Sequence, residues 1–327
     1  MYLLHFFREV EMDFSWVKGS ITKWVRMKPK RGEEPVLEFF LFAPQFILYI
    51  TFTILPFMIA IPILFTSRTD FLDSAVEFVG FRNFSAIFSP PLVNDYLPAV
   101  KRTAFYTFFN YLSVYIFGLP LALIMYEYVS RLKQSFFTII YLPYIIAPFG
   151  IGMMMSMLLS RDTGSLNLLL VELNIISQPI DIMDETVARW ALPIVAGWKN
   201  AGFNMAIILA GLLSVPRETV EASIVDGVSY FQRLFFIYIP QIIPSFIIAT
   251  IMCLLGSFGA FDLPVGFGGM RGNNAAMFLA VLLYKMGFAG SVSQSGTLAQ
   301  AVTISVVTYV PLVLIAILLN RLQKRLE

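Results

Sequence analysis

Six uninterrupted apolar runs constrain what this 327-residue chain can become: approximately 38–66, 103–128, 136–160, 189–213, 236–260 and 297–320. A helix rises about 1.5 Å per residue, so about 20 residues cross the roughly 30 Å hydrocarbon layer of a bilayer. In that layer each backbone N–H and C=O must find a partner inside the protein, and a helix supplies those partners within itself. The expected fold class is therefore an all-α polytopic membrane protein with six transmembrane helices. The transmembrane region is expected over 36–327, preceded by a segment over 1–35. Charge content agrees, since only 13% of residues are Asp, Glu, Lys or Arg, about half the ~25% of soluble domains. A seventh apolar patch, Ala275 to Phe288, is shorter and flanked by glycines. It is expected to lie in or near the outer interface rather than to cross.

Orientation follows from the basic residues. If the N-terminal segment, 129–135, 214–235 and the tail face the cytosol, fourteen of the 23 Lys/Arg lie there and eight in the opposite loops. That bias is the positive-inside pattern, with both termini cytosolic. The long loop over 161–188 falls on the other side and is acidic, with Asp162, Glu172, Asp181, Asp184 and Glu185. The first 35 residues are too polar for a secretory signal peptide, so the first apolar run is expected to stay as an anchor. Within them "FSWVKGSITKWV" permits an amphipathic helix on the membrane surface, or a flexible tail.

Several chemistries are excluded. Cys253 is the only cysteine and His5 the only histidine, which rules out an internal disulfide and a clustered Cys/His metal site. A net charge of +2 gives no electrostatic footprint for a nucleic acid. No G-x-x-x-x-G-K-[ST] phosphate loop occurs, so the chain does not bind and hydrolyse ATP by that route.

Lys199 stands about ten residues inside the fourth run, in "PIVAGWKNAGFNMAIILAGLL". An ammonium near the midplane costs at least about 2.5–3.5 kcal/mol. Either the side chain snorkels to the interface or a polar cavity receives it. Ten residues of helix span roughly 15 Å, more than twice the reach of a lysine stem, which favours the cavity. Prolines are frequent in the runs, among them Pro56, Pro120, Pro148, Pro240 and Pro244. They predict kinks whose freed backbone groups are satisfied by neighbouring helices.

Between the fourth and fifth runs lies "LLSVPRETVEASIVDGVSYFQRLFFIYIP", residues 212–240. Pro216 suits a first helical turn, and Glu218 sits where the positive end of the helix dipole favours an anion. The helix is expected to end near Asp226 with Gly227 as a left-handed cap. Ser229 and Gln232 then form an S-x-x-Q capping box that starts a second helix. Val220, Ile224 and Val228 make an apolar stripe beside the acidic edge of Glu218 and Glu221. Such a helix suits a docking element, with the stripe as anchor and the carboxylates setting register on basic partner groups. An interfacial helix on lipid headgroups is the competing reading. The acidic edge argues against it, because the inner leaflet is anionic.

"EASIVDG", followed after nine intervening residues by "IYIP", resembles the signature loop of ABC-importer permeases, which reads Glu-Ala-Ala, a glycine, then Ile-x-Leu-Pro. Ser223 and Ile239 are the two departures. "FVGFRNFSAIF" (78–88), "LPYIIAP" (142–148), "GWKNAGFNMAIILAGLLSVP" (197–216) and "GGMRGNNAAMFLAVLLYKMGF" (268–288) are similar, in order, to segments of carbohydrate-uptake permeases of the maltose type. The resemblance implies a type I ABC-importer permease fold with a cytosolic coupling helix that sits in a cleft of an ATPase subunit. It implies coupling roles for Glu218, Glu221, Ala222, Ile224, Asp226 and Gly227. It places the sugar pathway on Trp198, Lys199, Asn200, Phe203 and Asn204, and around Cys253, Gly256 and Ser257. Aromatic faces, amides and hydroxyls suit a sugar independently of that mapping, and Lys199 raises the narrower expectation of an acidic sugar. The implied partners are a second homologous permease, two ATPase subunits that bind ATP and Mg, an extracytoplasmic solute-binding protein and membrane lipid. The implied location is a bacterial-type inner membrane.

Two readings from other classes stand beside this one. An ion-coupled secondary transporter carries carboxylates within the membrane and an internal repeat; here Glu38 and Glu127 lie only at the ends of runs. A membrane-embedded enzyme needs a convergent acid/base or metal set, which His5 in the tail does not supply.

Overall fold

The computed structural model describes residues 34–73, 76–128, 133–288 and 296–326. The N-terminal stretch through residue 33, with "FSWVKGSITKWV" and His5, lies outside the described residues, as does Arg131. The chain divides into two compact units, residues 1–61 and 62–327.

In the first unit α1 (Glu34–Tyr49) passes through a π turn (Ile50–Ile54) into α2 (Leu55–Ile63), and Leu41–Ile63 is long and apolar enough to cross a membrane. The same device recurs twice. π turns at Val114–Gly118 and Leu234–Tyr238 each end two residues before a proline, Pro120 and Pro240, as Ile50–Ile54 does before Pro56. A proline ring collides with the carbonyl four residues back and offers it no N–H. Widening that turn moves the carbonyl aside and lets the helix continue.

The second unit begins with a loop knitted by Asn83, whose buried Nδ2 donates to Leu64 O (2.8 Å) and Thr66 O (2.9 Å). Short α3 (Arg82–Ala86) leads to α4 (Leu92–Ser113) and, past its π turn, to α5 (Leu119–Glu127). Together these form a 36-residue apolar segment. It starts well before the expected residue 103, because Asp95, Lys101 and Arg102 lower hydropathy without breaking a helix. The expected span over 136–160 is a broken pair, α6 (Lys133–Ile145) and α7 (Pro148–Leu158), meeting at 87°. Ala147 caps α7 with ψ 131°, the extended conformation that a following proline imposes.

After α8 (Ser165–Glu172), α9 (Glu185–Leu213) starts at Asp184, whose carboxylate accepts from Thr186 N (2.9 Å) and Val187 N (3.1 Å). Then come α10 (Arg217–Val225), α11 (Tyr230–Arg233), α12 (Ile239–Phe258), α13 (Asp262–Gly266), α14 (Leu279–Phe288) and α15 (Leu298–Leu326). Among the described residues four segments qualify alone as spans, and counting the bent α6–α7 and α9–α10 pairs as one span each brings the number to six. α14, which covers most of the seventh patch, has only ten residues.

α9 is the axis of this unit and packs against α4, α5, α6 and α12. Leu192, Ala196, Lys199, Gly202, Met205, Ile208 and Leu212 recur at three- or four-residue steps on its buried face. Toward one end, Met205, Ile208 and Leu212 join Leu123, Met125, Tyr238 and Ile242. Toward the other, Leu192, Val195 and Ala196 join Ile151, Leu263 and Phe267. Between those two cores the buried residues of α9 turn polar, with Lys199 and Asn204. Because lipid is as apolar as these cores, close packing rather than escape from water holds the bundle together. α7 and α13 approach backbone to backbone. A Cβ at Gly152 would come within 2.5 Å of Leu263 O, and one at Gly266 within 2.5 Å of Phe149 O.

Candidate functional site

A cavity of about 290 Å³ opens at the polar interval of α9. It is walled by Lys199, Asn200, Phe203 and Asn204 of α9, by Met252, Cys253, Gly256 and Ser257 of α12, and by Tyr106 and Asn110 of α4. The α6–α7 break contributes Tyr144 and Pro148, and residues 259–263 close one end. Seven of the eight pathway residues expected from sequence thus meet around one space. Trp198 does not: it is 42% exposed and absent from the cavity wall. Successive helical residues are turned by about 100°, so Lys199 and Asn200 share the cavity side while Trp198, on the other flank of Lys199, faces away.

Lys199 is 6% exposed. Its Nζ donates to Tyr144 O at 3.3 Å and lies 4.9 Å above the Tyr144 ring. That carbonyl belongs to the last turn of α6, where C=O groups lack helical partners and the dipole is negative. The helix break therefore creates the acceptor that receives the buried cation. Among the described residues no carboxylate forms an ion pair with Lys199. Tyr144 also stacks on Phe203 (4.6 Å, 11° between planes), giving the cavity a flat aromatic wall. Opposite, Asn110 Nδ2 donates to Ser257 Oγ at 2.8 Å and approaches Cys253 Sγ at 3.6 Å. A second polar string, Tyr111 to Tyr115 (2.8 Å) to Thr250 (3.3 Å), ties α4 to α12. The arrangement offers ring faces, amides, a hydroxyl and a cation, with the Asp262 carboxylate at one end.

Asn110 and Tyr144 escaped the sequence reading, although each left a signal. Asn110 is the lone amide in the aromatic stretch "FYTFFNYLS", and Tyr144 sits in "LPYIIAP", noted there only as a resemblance.

At its far end α9 turns by 75° into α10. Pro216 is the N-cap, one step earlier than a first-turn position, and Glu218 lies in the first turn. The C-terminus is a Schellman closure: Gly227 N donates to Ile224 O (3.1 Å) and Val228 N to Ser223 O (2.9 Å), with Gly227 at φ 72°. The Ser229–Gln232 capping box is present and starts α11. The apolar stripe is split. Val220 packs on the core formed with α5 and α12, and buried Ser223 donates to Val220 O. Ile224 is instead 55% exposed and Val225 87%, beside exposed Glu218, Glu221, Ala222, Asp226 and Gly227. The outward face is therefore Ala222, Ile224 and Val225 with an acidic rim, while Val220 anchors α10 to its own chain.

Residues 117–327, which include the α9 and α12 cavity walls and all of α10, match the family described as binding-protein-dependent transport system inner membrane component. The chain belongs to this family. It is accordingly a multi-pass inner-membrane component of a binding-protein-dependent transport system. It is similar to the sn-glycerol-3-phosphate transport system permease protein UgpA of Brucella abortus, with 27% identity over 285 residues, covering 84% of this chain and 93% of that protein. It is also similar to the arabinooligosaccharides transport system permease protein AraP of Halalkalibacterium halodurans, 25% identical over 71% of each chain. Among solved structures, a chain of a bacterial alginate ABC transporter in complex with an alginate pentasaccharide-bound periplasmic protein superposes with a TM-score of 0.74. That match covers 90% of this chain and 98% of the other at 20% identity, and it shows the ABC-importer permease fold.

Proposed function

We propose that this permease forms half of the translocation pathway of an ATP-driven importer for a sugar or oligosaccharide. The observation that carries the proposal is that one 29-residue helix, α9, both walls the cavity and ends in the exposed acidic helix α10. A load on α10 thereby reaches the cavity wall across a single 75° bend. The stacked Tyr144–Phe203 wall and the amides of Asn110, Asn200 and Asn204 suit the apolar faces and hydroxyls of a sugar. The names of the relatives AraP and the alginate transporter support the same substrate class. ATP and Mg are bound by two partner ATPase subunits that dock on Glu218, Glu221, Ala222, Ile224, Asp226 and Gly227, on the cytosolic side where both termini lie. A second homologous permease completes the pathway, and an extracytoplasmic binding protein delivers the substrate.

Within this reading Lys199 has two roles that separate experimentally. As a counter-charge it selects an acidic sugar; as a clamp on Tyr144 O it holds the α6–α7 break. Uptake by the reconstituted complex, with Lys199→Ala against wild type, is to be measured for alginate pentasaccharide and for neutral maltopentaose. Selective loss of the acidic substrate, about tenfold or more, supports the counter-charge. Equal loss of both assigns Lys199 to the clamp and removes the acidic specificity. A wild-type complex that moves neither saccharide contradicts the sugar reading.

A further inference from the structure

The polar groups around the cavity divide into those already bonded within the protein and those left over. Ser257 Oγ accepts from Asn110 Nδ2, and Cys253 Sγ lies 3.8 Å from the same oxygen. That buried knot joins α4 to α12 and occupies the hydroxyl that α12 brings to the cavity. Two other buried members of the wall have no such tie. Among the described residues neither the hydroxyl of Tyr106 nor the side-chain amide of Asn204 has a hydrogen-bond partner in the protein. Each of these residues is only 5% exposed.

Tyr106 stands one helical turn before Asn110 on α4. Its ring lies 4.8 Å from that of Phe278, centroid to centroid, and packs among Leu192, Val195 and Phe267. A phenylalanine would fill this apolar place as well. The hydroxyl therefore adds nothing to the packing, and removing it from water without a partner is costly. The buried side-chain atoms that are both sealed and unpartnered, among the described residues, are Arg68 Nε, Glu127 Oε1 and Arg233 Nε. Tyr106 Oη is not one of them, so it is reached from the cavity that its residue lines. Its electrostatic interaction with Cys253, on the α12 wall, places it toward that space.

We propose that Tyr106 orients the substrate, its hydroxyl exchanging a hydrogen bond with a hydroxyl of the sugar in the cavity, while Ser257 serves as a structural tie. The proposal rests on the sugar reading of the cavity and names which of its groups reads the ligand. A phenol both donates and accepts, as a sugar hydroxyl does. Because the ring is already fixed by its core, little freedom is lost when the bond forms. Asn204, equally buried and unpartnered, supplies a second contact of the same kind.

The test is equilibrium binding of labelled maltopentaose and of alginate pentasaccharide to the detergent-purified complete transporter, with thermal melting read on the same samples. The variants are Tyr106→Phe and Ser257→Ala. Tyr106→Phe is expected to weaken binding of the saccharide that the wild type takes by about two- to tenfold. Its melting temperature should be unchanged or slightly raised, because no bond within the protein is lost. Ser257→Ala should lower the melting temperature, because it leaves Asn110 Nδ2 without its acceptor. Undiminished binding by Tyr106→Phe overturns the proposal and leaves the sugar reading standing. So does weaker binding accompanied by a lower melting temperature, which makes the hydroxyl part of the fold. A Ser257→Ala complex that melts like the wild type also counts against it, by removing the division between tied and free groups. A wild type that binds neither saccharide overturns the sugar reading and the role of Tyr106 together.

Discussion

Glu221→Lys is expected to leave the protein inserted and assembled yet reduce substrate uptake by about a hundredfold, while the ATPase subunits continue to hydrolyse ATP. The side chain is exposed on α10, away from the cores that hold the bundle, so reversing its charge removes no packing. Its proposed work is to set the register of the outward face, Ala222, Ile224 and Val225, in a cleft lined by basic groups. A lysine there places like charges together, which both removes an attraction and adds a repulsion. Gly227→Val probes the same element through the backbone. Nothing lies within 4 Å of a Cβ added at Gly227, so the substitution costs only the strain of φ 72° in a β-branched residue, about 1–2 kcal/mol. That strain opens the Schellman closure and re-aims α10, and uptake is expected to fall while assembly persists. Uptake and ATPase activity measured on the same reconstituted complexes check both variants. Normal uptake by either one contradicts the coupling role.

The largest effect on stability is expected at the crossing of α7 and α13. Gly152→Val or Gly266→Val should abolish the folded protein or lower its thermal stability severely, beyond the roughly 1–3 kcal/mol usual for overpacking. The colliding atoms are backbone on both sides: Leu263 O and Gly266 Cα for Gly152, and Phe149 O and Gly152 Cα for Gly266. No side chain can swing aside to make room. Gly150, two residues earlier in the same helix, has nothing within 4 Å of its added Cβ. Gly150→Ala should therefore be close to neutral, and it controls for loss of glycine as such. Melting of the detergent-purified complex, followed by intrinsic fluorescence, reads the contrast. Because Pro148, Asp262 and Leu263 border the cavity from these two helices, the same contact shapes the site.

Much of this organisation was legible in the sequence, for identifiable reasons. Spans announce themselves because hydrocarbon imposes length and apolarity together, and α10 did so because capping is a local code: Gly227, Ser229 and Gln232 do what their residue types predict. The 87° break was not legible. Pro148 fixes only its own φ and biases Ala147, and whether a proline widens a turn, as at Pro120 and Pro240, or breaks the helix depends on which neighbours satisfy the freed carbonyls. Here Lys199 meets Tyr144 O across 55 positions, a pairing that no local pattern encodes. The inward turn of Lys199 and outward turn of Trp198 likewise follow from packing, which the adjacency of the two residues does not reveal. Ile224 shows the opposite limit. Its spacing put it on one stripe with Val220 and Val228, yet spacing alone does not say which member packs on the chain's own core, as Val220 does, and which stays exposed.

The most direct test of the central claim is ATP-dependent uptake by proteoliposomes holding this chain, its partner permease and the ATPase subunits, with the binding protein and labelled saccharide outside and MgATP inside. The account predicts uptake that requires both ATP and the binding protein, is abolished by a catalytic mutation in the ATPase subunit, and is unaffected by a protonophore. Uptake that persists without the ATPase subunits and collapses with the protonophore would contradict it and establish ion coupling instead.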